Sequence, residues 1–138
     1  MNLHATTVCV AGRGAIILGP SGSGKSSLAL QLLASGAQLV ADDRTDVARR
    51  GAQLIASAPE PISGMIEARG VGILRAKPTG PIPLSVVIDL SQIETARLPE
   101  PHTYEMLGVN LPCLYQIDAP YFAAAILLYL RCSIGSNT

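Results

Sequence analysis

Eight consecutive residues, Gly19-Pro20-Ser21-Gly22-Ser23-Gly24-Lys25-Ser26, satisfy the spacing G-x-x-x-x-G-K-[ST] at every required position. Each residue type has its own work in such a loop. The glycines let successive backbone N–H groups turn inward around phosphate oxygens, Lys25 adds a positive charge to them, and the Ser26 hydroxyl can ligate Mg²⁺. Ser27 closes the run. A nucleoside triphosphate is therefore the first ligand to expect. Further along stand two adjacent carboxylates, Asp42-Asp43. Phosphoryl transfer needs one carboxylate to hold Mg²⁺ and another to orient or deprotonate the attacking hydroxyl, so the pair could divide these roles. Without the phosphate loop nearby, Asp-Asp-Arg would read as a turn with a solvated charge cluster.

The elements that must position these groups can be read around them. Ala15-Ile16-Ile17-Leu18 is a continuous apolar run that suits a buried strand leading into the loop. After the loop, Leu28, Ala29, Leu32 and Leu33 recur at helical spacing, and Gly36 marks the stop. The helix N-terminus then points at the phosphates. Residues 3–18 predict a β-hairpin turning at Gly12-Arg13, so that Val10 faces Ala15, Ala5 faces Pro20 and His4 falls beside Ser21 at the edge of the loop. The competing reading of a near-terminal histidine is a solvated or merely packed side chain. Residues 37–41 alternate as a strand that ends at Asp42, and residues 47–55 predict a second hairpin with Arg50-Gly51 at its tip.

In Ile66-Glu67-Ala68-Arg69-Gly70-Val71-Gly72-Ile73, an extended chain would put Glu67 and Arg69 on one face. They read either as a third metal or phosphate contact or as an exposed salt-bridged edge. Lys77 to Pro83 predicts a loop, Val86 to Leu90 and Leu114 to Ile117 predict strands, and Ala119 to Cys132 a packing helix. Residues 1–132 form one expected domain, and residues 133–138 an expected disordered tail. Because hairpins flank the loop strand, the sheet of this α/β fold should be mixed.

Composition narrows the function classes. With 138 residues, zero formal net charge and only 14% charged residues, the chain lacks the basic footprint of a general nucleic-acid binder. The three cysteines, Cys9, Cys113 and Cys132, have no metal-ligand spacing and suit reduced thiols. The start of the chain does not follow the order of a signal peptide, and the longest apolar stretch, Tyr121 to Leu130, is too short for a bilayer. The expectation is a cytoplasmic protein with neither nucleic-acid nor membrane partner.

Taken together, His4, Gly19 to Ser26, Leu39-Val40-Ala41-Asp42-Asp43-Arg44 and Glu67 to Ile73 resemble the bacterial HPr kinase/phosphorylase family, in its order and near its spacing. The last run is similar to the family signature E-x-R-G-x-G-I. The resemblance continues through Glu94-Thr95-Ala96-Arg97 and Met106 to Pro112, and covers only the family's catalytic domain. It implies a P-loop kinase domain of the HPr kinase/PEP carboxykinase-like type, with a mixed β-sheet and flanking helices. The implied activity is ATP- and Mg²⁺-dependent phosphorylation of a serine on HPr, the phosphocarrier of the phosphotransferase system or its nitrogen-related counterpart. Carried across, Asp43 resembles the residue that accepts the serine proton, with Asp42 and His4 as catalytic neighbours. Lys25 would bind the β- and γ-phosphates, Ser26 and Glu67 would ligate Mg²⁺, and Arg69 and Arg97 would stabilise phosphoryl charge.

The departures define alternatives. The family's loop usually continues to an acidic residue where this chain has Ser27, and its PV-x-x-GRN segment, implicated in dephosphorylation, is replaced by Gln116-Ile117-Asp118-Ala119-Pro120-Tyr121-Phe122. The short form resembles truncated versions in Alphaproteobacteria, for which kinase activity without phosphorylase activity is the expectation. The hexamer usual for longer members does not carry over, and a homo-oligomer stays open. A nucleotide-sensing regulator without transfer and a small-metabolite P-loop kinase are the alternative functions.

Overall fold

A computed structural model of the chain describes residues 1–59 and 64–133. The expected tail falls at residues 134–138 outside the described residues, and Ser133 instead ends a helical turn.

In chain order the strands and helices are β1 (Asn2–Leu3), β2 (Thr6–Val10), β3 (Arg13–Leu18), α1 (Lys25–Ala34), β4 (Gln38–Ala41), β5 (Thr45–Arg50), β6 (Gln53–Ser57), β7 (Met65–Ala68), β8 (Gly72–Arg75), β9 (Ile82–Ile93), β10 (His102–Met106), β11 (Val109–Gln116) and α2 (Phe122–Leu128). A π-helical turn, Tyr129–Ser133, continues α2. Nine of these strands form one sheet, in which the path β1-β5-β6-β9-β3-β2-β4 is joined by β11 on β9 and β10 on β11. The sheet is mixed, as hairpins around the loop strand require: β3 and β11 run parallel to β9, and the other pairs are antiparallel.

Alternation along the strands separates two cores. Val8, Ile17, Leu39, Val86 and Ile88 face α1 and α2, where Leu28, Leu32, Ile126 and Leu130 complete the cluster. Cys9, Ile16, Val40, Val87 and Cys113 face the opposite side with Val47, Leu54 and Met106. The Cys9 and Cys113 thiols are free and buried, and desolvation raises both, the latter to about 11 with a further push from the Asp89 charge. No helix among the described residues is long and apolar enough to cross a membrane.

Helix α1 ends as its sequence indicates. The Gly36 N–H bonds Leu33 O at 3.1 Å and the Ala37 N–H bonds Leu32 O at 3.0 Å, with Gly36 at φ 106°, which is a Schellman stop.

Three expectations need correction. The first hairpin turns at Ala11-Gly12, so Val10 faces Arg13 and Val8 faces Ala15. Both turn residues have positive φ, 54° and 77°, as a two-residue hairpin of this hand requires, although Ala11 pays for its Cβ there. His4 is thereby removed from the strand that pairs with β3. The second hairpin turns at Gly51-Ala52, since Arg50 pairs with Gln53. The third concerns Glu67 and Arg69, which do not share a strand: β7 ends at Ala68, Val71 N–H bonds Ala68 O at 2.9 Å, and Arg69 lies in the turn to β8. In addition, β9 begins at Ile82, within the expected loop, and β10 was not foreseen.

Candidate active site

The phosphate loop joins β3 to α1, and nothing caps the helix except Gly24, at φ 101°. With no side-chain cap and no acidic residue in the first turn, the first N–H groups of α1 remain available to an anion. A Cβ on Gly19 would stand 2.5 Å from Ser23 Oγ, so only glycine lets the loop close on itself. That hydroxyl is buried and has no hydrogen-bond partner among the described residues. Lys25 is buried, and its Nζ donates to Gly19 O at 2.6 Å and Pro20 O at 3.2 Å. The ammonium has three donors, so one remains to meet a phosphate.

Behind the loop sits a carboxylate clasp. Asp42 Oδ1 accepts hydrogen bonds from Ser26 Oγ at 3.1 Å and Thr6 Oγ1 at 2.9 Å, while Oδ2 accepts from the Glu67 backbone N–H at 3.4 Å. Ser26 is in α1, Thr6 in β2, and Glu67 in β7, so one nearly buried side chain ties three elements together. The Thr6 hydroxyl also accepts from the Asp43 N–H at 3.3 Å. A second layer of hydroxyls, Thr7 with Thr45 at 2.9 Å and Thr45 to Ala5 O at 3.0 Å, locks β2 to the start of β5.

Asp43 occupies the connection between β4 and β5 under strain. Its φ is 68°, and the Arg44 N–H bonds Asp42 O at 2.7 Å, the bonding pattern of a γ-turn around a left-handed residue. Such conformations in non-glycine residues cost on the order of 1–3 kcal/mol and collect at functional sites. Its side chain is 67% exposed, with Oδ1 2.6 Å from His4 Nε2. That meeting follows from a change of strand partners. Leu3 pairs with Thr45 in β5 whereas Thr7 pairs with Ala41 in β4, so His4 lies across from the residues that connect the two.

The structure therefore brings His4, Lys25, Ser26, Asp42 and Asp43 to one corner, with the backbone of Glu67. The carboxylate of Glu67 is on an exposed residue, Arg69 is exposed in the β7–β8 turn, and Arg97 is exposed in the loop after β9. Pro20, Ser21, Gly22 and Ser27 complete the loop at the surface. Sequence reasoning missed Thr6, fully buried, whose hydroxyl serves both aspartates. Its signal was a pair of polar residues, Thr6-Thr7, in an otherwise apolar strand, and only strand pairing says what they bond.

Triphosphate and Mg²⁺ fit these residues. The loop offers uncapped N–H groups, a lysine and the spare Ser23 hydroxyl. No group of three or more His, Cys, Asp or Glu is gathered for a metal among the described residues. Mg²⁺ does not need one, because it is commonly held by one or two carboxylates, phosphate oxygens and water. Ser26 and Asp42 are in contact, and the backbone of Glu67 in β7 meets the same carboxylate, so these residues could hold the ion.

Comparison with known proteins identifies the family of the fold. The family model for the HPr Serine kinase C-terminal domain matches residues 1–115. An HPr kinase/phosphorylase of Brevibacillus brevis is 38% identical over 119 residues, covering 84% of this chain and 38% of that protein. An HPr kinase/phosphorylase of Caldanaerobacter subterraneus is 41% identical over 114 residues, covering 80% and 37%. The chain thus spans little more than a third of the length of these relatives. A solved structure, the Hpr(Ser) kinase/phosphatase from Coxiella burnetii, superposes with a TM-score of 0.78 at 26% identity, over 95% of this chain and 94% of that one. Matched in sequence over residues 1–115, and in fold over nearly its whole length, the chain belongs to the HPr serine kinase C-terminal domain family.

Proposed function

We propose that residues 1–132 form an ATP- and Mg²⁺-dependent protein-serine kinase domain that phosphorylates an HPr-type phosphocarrier and has no phosphorylase activity. The observation that carries this reading is the Ser26–Asp42–Thr6 clasp with the exposed Asp43–His4 pair beside it. Mg·ATP, when bound, supplies the phosphoryl group and neutralises its charge. The chain's own residues do the rest. The loop N–H groups and Lys25 hold the phosphates, while Ser26, Asp42 and Glu67 hold the metal. Asp43, exposed and aimed by His4, takes the proton of the acceptor serine hydroxyl. Arg69 and Arg97, on surface turns, meet phosphoryl charge once the acceptor is docked. Positioning and fixed charge then account for most of the rate.

The test is a Mg·ATP reaction with HPr-type carriers, read by mass spectrometry. Wild type should yield phosphoserine, and Asp43→Asn should bind nucleotide yet lose transfer. Full activity in Asp43→Asn would remove that residue from the mechanism. Tight ATP binding with no carrier phosphorylated would replace the kinase with a nucleotide-sensing regulator.

A further inference from the structure

The parallel strands β3, β9 and β11 end on one side of the sheet, with Leu18 beside Asp89 and Asp89 beside Tyr115. In open α/β sheets, ligands lie outside the carboxyl ends of such strands. A cleft of about 190 Å³ opens there. Leu28 and Leu90 contribute apolar surface, Ser27 and Gln31 of the loop and α1 form one side, and residues 116–119 with Phe122 form the other. Ser23 and Gly24 line it as well, so it is continuous with the phosphate loop.

Size and charge restrict what this cleft takes. Pockets for a complete small ligand measure roughly 300–1,000 Å³, so this one suits the end of a molecule whose remainder rests elsewhere. Among the described residues, Asp118 is its one ionisable lining residue, and Gln31 and Gln116 are its amides. A cleft with no cation disfavours another phosphate or acidic group. It suits a flat neutral ring, with apolar side chains against its faces and hydrogen-bond donors on its edge.

We propose that this cleft holds the purine base of the nucleotide bound by the phosphate loop, and that Asp118 selects bases bearing an amino group. The proposal rests on the loop binding a triphosphate. Residues 116–122 then have a definite role in this chain: the β11–α2 connection is the far wall of the base site. An amino group can donate to the Asp118 carboxylate, whereas a ring lacking it forgoes that hydrogen bond to a charged group.

The experiment compares Mg²⁺ complexes of ATP, purine riboside triphosphate and inorganic tripolyphosphate by calorimetry on the full chain. ATP should bind at least about 10-fold more tightly than purine riboside triphosphate, the scale of one hydrogen bond to a charged group. Tripolyphosphate should be weaker still. Asp118→Ala, at an exposed position, should remove the discrimination between the two nucleotides. Ala119→Trp should fill the cleft and bring ATP down to tripolyphosphate. Retained tripolyphosphate binding in Ala119→Trp shows that the loop is intact. Equal binding of ATP and tripolyphosphate by wild type overturns the base site and leaves the phosphate loop standing. Unchanged discrimination in Asp118→Ala overturns the assignment of Asp118. Binding of neither ligand overturns the loop reading and this one together.

Discussion

The carboxylate corner and the two arginine-bearing turns differ in how firmly the fold holds them. Asp42 is nearly buried and accepts three hydrogen bonds from three elements. Arg69 and Arg97 are exposed on turns. A carboxylate that must hold a metal benefits from a fixed place, since its geometry is set before any ligand arrives. An arginine that must meet charge brought by a separate protein can wait in solvent, where its desolvation cost is deferred until docking. Asp43 lies between these extremes, fixed in backbone and open in side chain.

The sharpest way to break this comparison is to remove charge from the fixed half. Lys25→Met should lower the rate of carrier phosphorylation by about 10²–10³-fold, the scale of losing one preorganised electrostatic contact. Quenched-flow phosphorylation assays would read it, and a smaller effect than that of Arg97→Ala would invert the assignment of roles. Next, the two halves should separate stability from rate. Thr6→Val leaves both aspartate links unmade and should cost about 1–3 kcal/mol in urea unfolding as well as activity. Arg69→Ala and Arg97→Ala should change stability by less than about 0.5 kcal/mol while slowing transfer.

Strain at Asp43 offers a subtler contrast. Asp43→Gly removes the Cβ that left-handed backbone penalises, so it should stabilise the domain by roughly 1 kcal/mol even as transfer is lost. A lower melting temperature in that variant would show that the γ-turn is relaxed and not strained.

The smallest effect concerns the loop that carries Arg97. Glu94 Oε2 accepts from the Thr95 and Ala96 N–H groups, both at 3.1 Å, and Oε1 lies 2.7 Å from His102 Nε2, whose ring stacks on Tyr115 at 3.9 Å. The Ala96 N–H chiefly, and then the His102 hydrogen bond, hold the Glu94 carboxyl below its ordinary value. A depressed carboxylate stabilises above its unfolded pKa and loses that contribution as pH falls through the lower folded value. The protection of the Thr95 and Ala96 amides, taken relative to their intrinsic exchange rates, should therefore hold at neutral pH and fall only below the usual carboxylate range. Protection unchanged on acidification through the carboxylate range would show that the carboxylate does not hold the loop.

Much of the fold was legible because its signals are local. The apolar run before the loop, the 3.6-residue spacing after it and Gly36 gave β3, α1 and the helix stop nearly to the residue. Hairpin registers were not legible to that precision. The first one turns at Ala11-Gly12, which puts a side-chain-bearing residue at φ 54°, and a sequence argument that avoids such a residue misplaces the turn. Strand β10 escaped notice because its inward residues His102 and Tyr104 are only half-buried on a sheet edge.

The same division runs through the candidate site. The sequence by itself determined the phosphate loop, because its conformation depends on glycines and on hydrogen bonds within eight residues, and it placed two aspartates at the end of a strand. Only the tertiary structure decided what those aspartates bond. His4 reaches Asp43 across 39 positions and Thr6 reaches Asp42 across 36, both because β1 pairs with β5 while β2 pairs with β4. Such contacts depend on which strands pair and in what register, and that is settled by packing two buried faces at once, a quantity no local stretch of sequence contains.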